Sequence, residues 1–209
     1  PRWRPVWEFA LIVLVACAAL FPLMGGRGKI VDRMAPAAPH TLDGMAYMPY
    51  STQVEADTVL DLSEDYRAIR WMQENVEGSP VIVEANQPQY HWGTRFTIYT
   101  GLPGVVGWEW HQIQQRAVTG QDWVIRRVAQ VGRFYSTTDR LEALDFLRQY
   151  DVEYIIVGQL ERAIYPQDGT QKFEQLNGDL WREVYRDGQT VIYQTIAADP
   201  AQAASVSSP

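Results

Sequence analysis

The chain has 209 residues, a net charge of −7 and 46% hydrophobic residues, the profile of one ordinary globular domain with an appendage. An acidic chain without a basic stripe lacks the electrostatic footprint of a nucleic-acid binder, so no nucleic-acid partner is expected. The single cysteine, Cys17, excludes a disulfide framework and a metal-binding cysteine pair and leaves the redox compartment open.

The appendage comes first. Within "FALIVLVACAALFPLM" and its flanks, from Val6 to Met24, the only charge is Glu8. Arg2, Arg4, Arg27 and Lys29 bracket the run, and Trp3 and Trp7 stand where interfacial aromatics sit. The run reads as a transmembrane helix with flanks over 1–25. A signal peptide and a buried core helix are the competing readings, the former weakened by the lack of a small-x-small cleavage pattern after Phe21-Pro22-Leu23-Met24. Two basic residues before the span and three after do not set its orientation. The opening "PRWRP" is that expected of a processed chain or of a piece of a longer one. A span followed by a soluble domain is what the tail of a multi-span protein would look like.

Residues 26–62 are rich in Gly, Pro, Ala and Met and read as an extended connection. In "DLSEDYRAIRWMQENV", Asp61 or Ser63 can cap a helix whose Ile69, Met72 and Val76 share a face. "GSPVIVEA" is a turn and a short apolar run ending at Glu84, the pattern of a buried parallel strand. "STTDRLEALDFLRQYD" is a second capped helix, with Leu141, Leu144 and Leu147 facing inward, and it runs into "VEYIIVG", a second buried strand. "LWREVYRDGQTVIYQT" alternates about Asp187-Gly188, which predicts an antiparallel hairpin with a type I′ turn. The fold expected is α/β: a small, mostly parallel sheet flanked by helices and closed by a C-terminal antiparallel hairpin, after one transmembrane helix. The α/β domain is assigned to 63–196, and "AADPAQAASVSSP", 197–209, to a disordered tail.

No chemistry is signalled by a familiar motif. There is no GxSxG, no HExxH, and no glycine-rich phosphate loop, and His40, His91 and His111 are far apart in sequence. No catalytic residue, metal site or cofactor is therefore expected in this chain. What remains is the stretch from Glu84 to Arg116. Glu84 ends a strand, where ligands of α/β sheets gather, and the loop after it offers Tyr90, His91, Trp92 and Arg95. "GWEWHQIQQR" adds Trp108, Glu109, Trp110, His111 and Arg116. Aromatic faces stack on the apolar side of sugar rings, carboxylates and amides accept hydroxyl protons, and arginine suits phosphate. The candidate substrate-binding residues are Glu84, Arg95, Trp108, Glu109, His111 and Arg116, and a phosphorylated or lipid-linked sugar would suit them. Each also has a plainer role. Trp108 and Trp110 can fill a core, Arg116 can pair with Glu84 or Glu109, and Glu84 can form a buried ion pair with Arg95. Glu161 and Arg162 read as a local surface bridge.

The succession "TLDGMAYM", "AIRWMQENVEGSPVIVEA", "RFTIYTGLPGVVGWEWHQIQQR", "FYSTTD" and "YDVEYIIVGQLERAIYP" resembles the C-terminal region of the YYY family of bacterial and archaeal multi-span membrane proteins. These are related by architecture to the GT-C class of lipid-sugar-dependent glycosyltransferases. The resemblance runs from about Thr41 to Tyr193. It implies a polytopic cell-membrane protein whose last span is Val6 to Met24, with the α/β domain on the extracytoplasmic side. The implied partners are the bilayer, the upstream spans of the same polypeptide and a polyprenyl-phosphate-linked sugar. The catalytic carboxylate of such an enzyme would lie upstream, and this chain would help to bind acceptor or phosphosugar. The matching positions are Glu84, Arg95, Thr100, Gly101, Gly107, Trp108, His111 and Arg116. Where the family pattern reads HExQWR this chain reads HQIQQR, so Gln112 replaces an acidic residue and Gln115 an aromatic one. That departure removes the support for an acid–base role at position 112. The family has no firmly assigned activity, and a non-catalytic, membrane-anchored interaction module is the alternative reading.

Overall fold

A computed structural model describes residues 2–33 and 35–196, and it divides into two compact units, Pro1–Tyr50 and Ser51–Pro209. The tail assigned to 197–209 lies outside the described residues. In the first unit, helix α1 (Arg4–Arg33) carries the apolar run, with Pro22 inside it. Its 30 residues extend about 45 Å, more than a bilayer core of about 30 Å requires. The stretch Arg4–Asp32 is long and apolar enough to cross a membrane by length and composition, and none of it is buried.

The second unit opens with a hairpin, β1 (Thr52–Glu55) and β2 (Thr58–Asp61), followed at once by α2 (Leu62–Asn75). The stretch expected to be an extended connection, 26–62, is therefore helical at its start and a hairpin at its end. Asp61 caps α2 as expected, accepting from the Ser63 N–H at 2.9 Å. Then come β3 (Val81–Val83), α3 (Arg95–Thr100), α4 (Glu109–Gln115), α5 (Asp122–Ser136) and α6 (Arg140–Tyr150). The chain ends with β4 (Val152–Val157), α7 (Gln159–Ile164), α8 (Gln167–Gln175), β5 (Trp181–Asp187) and β6 (Thr190–Thr195).

The four-stranded sheet has the order β3-β4-β6-β5. Only β3 and β4 are parallel, since β6 runs antiparallel to both β4 and β5. The expectation of a mostly parallel sheet is corrected here. The hairpin does not close an edge beyond a parallel array; it inserts β6 directly beside β4 and so makes two of the three pairings antiparallel. Its turn differs too. Asp187 pairs with Thr190, so the loop residues are Gly188 and Gln189, and only Gly188 has positive φ, +56°. That is the type II′ pattern rather than I′.

Ile155, Ile156 and Val157 are all fully buried, so the sheet is covered on both faces, as its continuous apolar strands require. Val83, Ile155, Val157, Val191 and Tyr193 face a core shared with Phe134 and Tyr135 of α5, Phe146 of α6 and Phe173 of α8. Strand alternation turns Ile82, Ile156 and Ile192 the other way, toward the side on which α2 packs through Ile69 and Met72. In α6, Ala143, Phe146 and Leu147 form the buried face, whereas Leu141, expected to face inward, is exposed.

Both sheet edges are occupied or irregular. The outer side of β3 accepts the 103–105 backbone, with Ile82 N–H on Pro103 O at 2.9 Å and Val105 N–H on Ile82 O at 3.2 Å. At the other edge, β5 is bulged between Glu183 and Tyr185 and carries Arg182, Glu183, Arg186 and Asp187. Lys172 of α8 is buried against the end of α5, donating to Phe134 O at 2.5 Å and to Gly169 O at 2.9 Å.

Candidate functional site

The carboxyl end of β3 leads straight into the stretch singled out from the sequence. The structure divides the six candidate residues into groups. Glu84 and Arg95 are buried together, and Trp108, Glu109, His111 and Arg116 lie at or near the surface on and around α4.

Arg95 sits at the centre of a buried ionic cluster. Its Nε donates to Asp65 at 2.6 Å, and Nη1 and Nη2 reach the two oxygens of Glu161 at 3.1 and 2.9 Å. Glu84 lies 3.9 Å from Nη1 and spends its oxygens on the first turn of α3, accepting from Phe96 N–H at 2.8 Å and Thr97 N–H at 2.7 Å. Glu161 also accepts from Ala85 N–H and Gly158 N–H, both at 2.8 Å. The cluster therefore joins α2, the end of β3, α3 and α7.

Three carboxylates face one guanidinium, and their titration reflects that imbalance. Burial pushes Glu84 up to about 6, against the Arg95 charge and the two N–H bonds. Burial likewise raises Asp65 above the usual carboxylate range despite Arg95. For Glu161 burial also acts upward, but the Arg95 charge and its bonds outweigh it and hold the carboxyl below that range. Burial alone would lower Arg95, and the carboxylates drive it well above its ordinary value.

The plainer reading of Glu84 and Arg95, a buried ionic association, thus describes their geometry, with Asp65 and Glu161 as further members. Glu161 is not half of a surface bridge with Arg162. It is fully buried on Arg95, and Arg162 instead reaches the Gln189 carbonyl at 3.3 Å. Nothing in the sequence marks Asp65, which looks like an ordinary acidic residue of a helical first turn.

The α4 segment is different in kind. Trp108 is half-buried and Trp110 is 46% exposed. The His111 ring lies 5.3 Å from the Trp108 ring, 5.6 Å from Trp110 and 6.3 Å, edge-on, from Tyr90. Tyr90 itself is 81% exposed. Asn86 ties this segment to the loop after β3, donating to Gly107 O at 3.0 Å. Arg116 is exposed and pairs with neither Glu84 nor Glu109; its guanidinium lies 5.0 Å over the Trp123 ring, whose face also receives Arg127 at 5.2 Å. Glu109 is half-buried in the first turn of α4.

Below Tyr90 lies a carboxylate that the sequence reading passed over. Glu55, at the end of β1, is buried and accepts from His91 Nδ1 at 2.8 Å and Trp92 N–H at 2.9 Å. Gln53 and Gln87 each donate to it at 3.2 Å. Burial acts upward on its carboxyl, and these bonds, His91 foremost, outweigh it and lower it. The indole N–H of Trp92 donates to Asp65 at 2.7 Å, which connects this site to the ionic cluster. Among the described residues, no three His, Cys, Asp or Glu side chains gather as metal ligands. An open groove of about 680 Å³ lies at the other end of β3 and β4, lined by Ser79, Asp151, Glu153, Arg182 and Gln194, and it contains none of the candidate residues.

No family model matches the chain, and no curated protein sequence matches it either. Among solved structures, it is similar to the C-terminal globular domain of an oligosaccharyltransferase from Archaeoglobus fulgidus, with 14% sequence identity and a TM-score of 0.41. The match covers 62% of this chain and 95% of that one.

Proposed function

We propose that this chain is the membrane-anchored, extracytoplasmic domain of a YYY-type, glycosyltransferase-like membrane protein, and that the surface around α4 binds the sugar of a polyprenyl-phosphate-linked ligand or its acceptor. The observation that carries the reading is the set of rings about His111, in which Tyr90 and Trp110 are open to solvent beside the half-buried Trp108. Exposed ring faces next to a half-buried carboxylate, Glu109, and an imidazole match the mixed apolar and hydroxyl-bearing faces of a pyranose. Arg116, exposed at the end of α4, is the residue for the phosphate. Glu84 and Arg95 serve the site from beneath, by fixing the loop and α3 rather than by touching ligand. The chemistry of this surface is positioning and charge neutralisation, with the catalytic carboxylate supplied from upstream of this chain.

A tryptophan-fluorescence titration of the full chain in nanodiscs with a polyprenyl-phosphate sugar tests the reading. Saturable quenching that Arg116→Ala weakens about tenfold is the expected result, the loss of one charge-assisted contact. A flat titration, or one identical in the variant, rejects it. The second reading, a non-catalytic module that docks a protein through α4 and α5, draws on Trp110, Val118 and Ile125, which are apolar and exposed. It predicts that ligand leaves the fluorescence unchanged while Trp110→Ala disrupts cross-linking to a neighbouring polypeptide.

A further inference from the structure

The loop between β3 and α3 is held unusually tightly for a segment that ends at the surface. Glu55 takes three of its groups, the Gln87 amide, the His91 ring and the Trp92 N–H. Asp65 takes the Trp92 indole, and Tyr165 accepts the Asn86 N–H at 3.3 Å. Tyr90 and Thr94, on either side of His91, occupy left-handed backbone conformations with φ of +69° and +66°. Such conformations cost stability in non-glycine residues and persist where the surroundings enforce them. Gly93 between them is closely packed: a Cβ would sit 3.0 Å from Gln87 Cβ and 3.2 Å from Ala85 O, so those neighbours would have to give way by a few tenths of an ångström. Gln87 Oε1 and Thr94 Oγ1, both on this loop and both buried, have no hydrogen-bond partner among the described residues.

What this strained loop displays is a histidine. The His91 side chain is 53% exposed, although its Nδ1 rests on a carboxylate that is 2% exposed. An ionised Glu55 can only accept, so a neutral His91 must carry its proton on Nδ1. Nε2, across the ring from the Glu55 contact, is then a lone-pair acceptor on a side chain that is more than half exposed. Anchoring the loop does not by itself require this, because Trp92 N–H, Gln87 and Gln53 already satisfy Glu55. Beside His91 in the chain stands Tyr90, whose ring meets His111 of the α4 cluster edge-on.

We propose that the Glu55–His91 pair is a hydroxyl-recognition element, in which His91 Nε2 accepts a hydrogen bond from a saccharide hydroxyl while the sugar ring lies against Tyr90 and the α4 aromatics. Glu55 is the positioning residue, acting through the tautomer and orientation of His91. The proposal deepens the saccharide reading given above and rests on it. It names the polar half of the site, which no sequence motif signalled.

The test uses the full chain in nanodiscs with ¹⁵N-labelled histidine and tryptophan. Long-range ¹H–¹⁵N spectra are recorded alone and with methyl α-D-mannopyranoside, N-acetyl-D-glucosamine or inorganic phosphate. The expected result is an unprotonated, acceptor-type Nε2 at His91 in the free protein, shifting saturably with at least one saccharide. His91→Asn keeps a donor near Glu55 but removes the outward acceptor, and it should weaken that saccharide about fivefold, the loss of one neutral hydrogen bond. His91→Gln, which returns an amide oxygen toward the Nε2 position, should recover most of the affinity. An unchanged Trp92 amide resonance shows that either variant keeps the loop.

Any of four results overturns the proposal. One is an Nε2–H tautomer in the free wild-type protein, which needs no variant. Another is saccharide binding that moves the Trp110 signals while His91→Asn binds equally well, which would leave the α4 reading intact. The third is a His91 shift with phosphate and with neither saccharide, the signature of an anion on an imidazolium. Silence of both Trp110 and His91 toward the saccharides also removes the proposal, and the lipid-linked titration then decides the broader reading by itself.

Discussion

Arg95 holds three carboxylates that would otherwise face one another in a dry interior, and its two ends serve different elements, Asp65 in α2 and Glu161 in α7. Removing one partner of such a cluster strands the remaining charges. Arg95→Met should therefore destabilise the domain by about 3–5 kcal/mol in urea unfolding, whereas Arg116→Ala at the surface should leave the midpoint nearly unchanged. Equal midpoints for the two variants would refute the structural role of Arg95. Glu84 has a testable pH signature. Its carboxyl titrates near 6 when folded, above its ordinary value of 4.5, so the unfolded chain gives up this proton first. The contribution of Glu84 is fully present below pH 4.5 and is lost as pH rises through 6, amounting to about 2 kcal/mol. Glu84→Gln should remove that part of the pH–stability profile between 4.5 and 7, and a profile unchanged by the substitution would count against it. The Glu84–Arg95 association was legible as one of two readings, because a carboxylate at a strand end and an arginine after a short loop fall close together. Asp65, Glu161 and Glu55 were not. Each belongs to an element distant in sequence, and nothing local distinguishes a buried acidic residue from a solvated one.

At the scale of elements, the legible parts were those whose signals are local. The cap at Asp61, the two apolar strands and the β5–β6 hairpin each rest on a few adjacent residues. The β1–β2 hairpin was missed because its turn residues, Ala56 and Asp57, both adopt positive φ, +47° and +60°, without the glycine that usually announces such a turn. Helix α5 did carry a signal that went unread, since its buried Val124, Val131 and Tyr135 follow helical spacing. Strand order was beyond local reading: whether β6 pairs with β4 or only with β5 depends on which edge of β4 the rest of the fold leaves open. Helix α8 was hidden by Gly169, a poor helix former in its first turns. That glycine is there for contact. A Cβ at 169 would lie 2.3 Å from Tyr135 O and 2.7 Å from the Ser136 backbone, at the end of α5 where Lys172 also donates its protons. Gly169→Ala should cost about 1–3 kcal/mol through forced separation of α5 and α8, read as a lowered unfolding midpoint. A gain in stability, as expected for alanine in an uncrowded helix, would show that the two helices do not meet so closely.

At the scale of the whole chain, α1 and the α/β unit make different demands on their surroundings. A helix of this length and composition, exposed along its apolar run, should keep the expressed chain with membranes through alkaline carbonate extraction, and deletion of 2–33 should release it. Recovery of the full chain in the carbonate supernatant would dismiss the span. The α/β unit, for its part, protects both edges of its sheet: β3 is lined by the 103–105 backbone, and β5 is bulged and bears two arginine–acid pairs, Arg182-Glu183 and Arg186-Asp187. Extension of this sheet by a strand of another polypeptide is opposed at both edges, by the backbone already paired to β3 and by the bulge and charges of β5. Recognition by this domain is thereby left to side chains, and a partner or ligand selected by them can be changed by point substitution without any rearrangement of the backbone beneath.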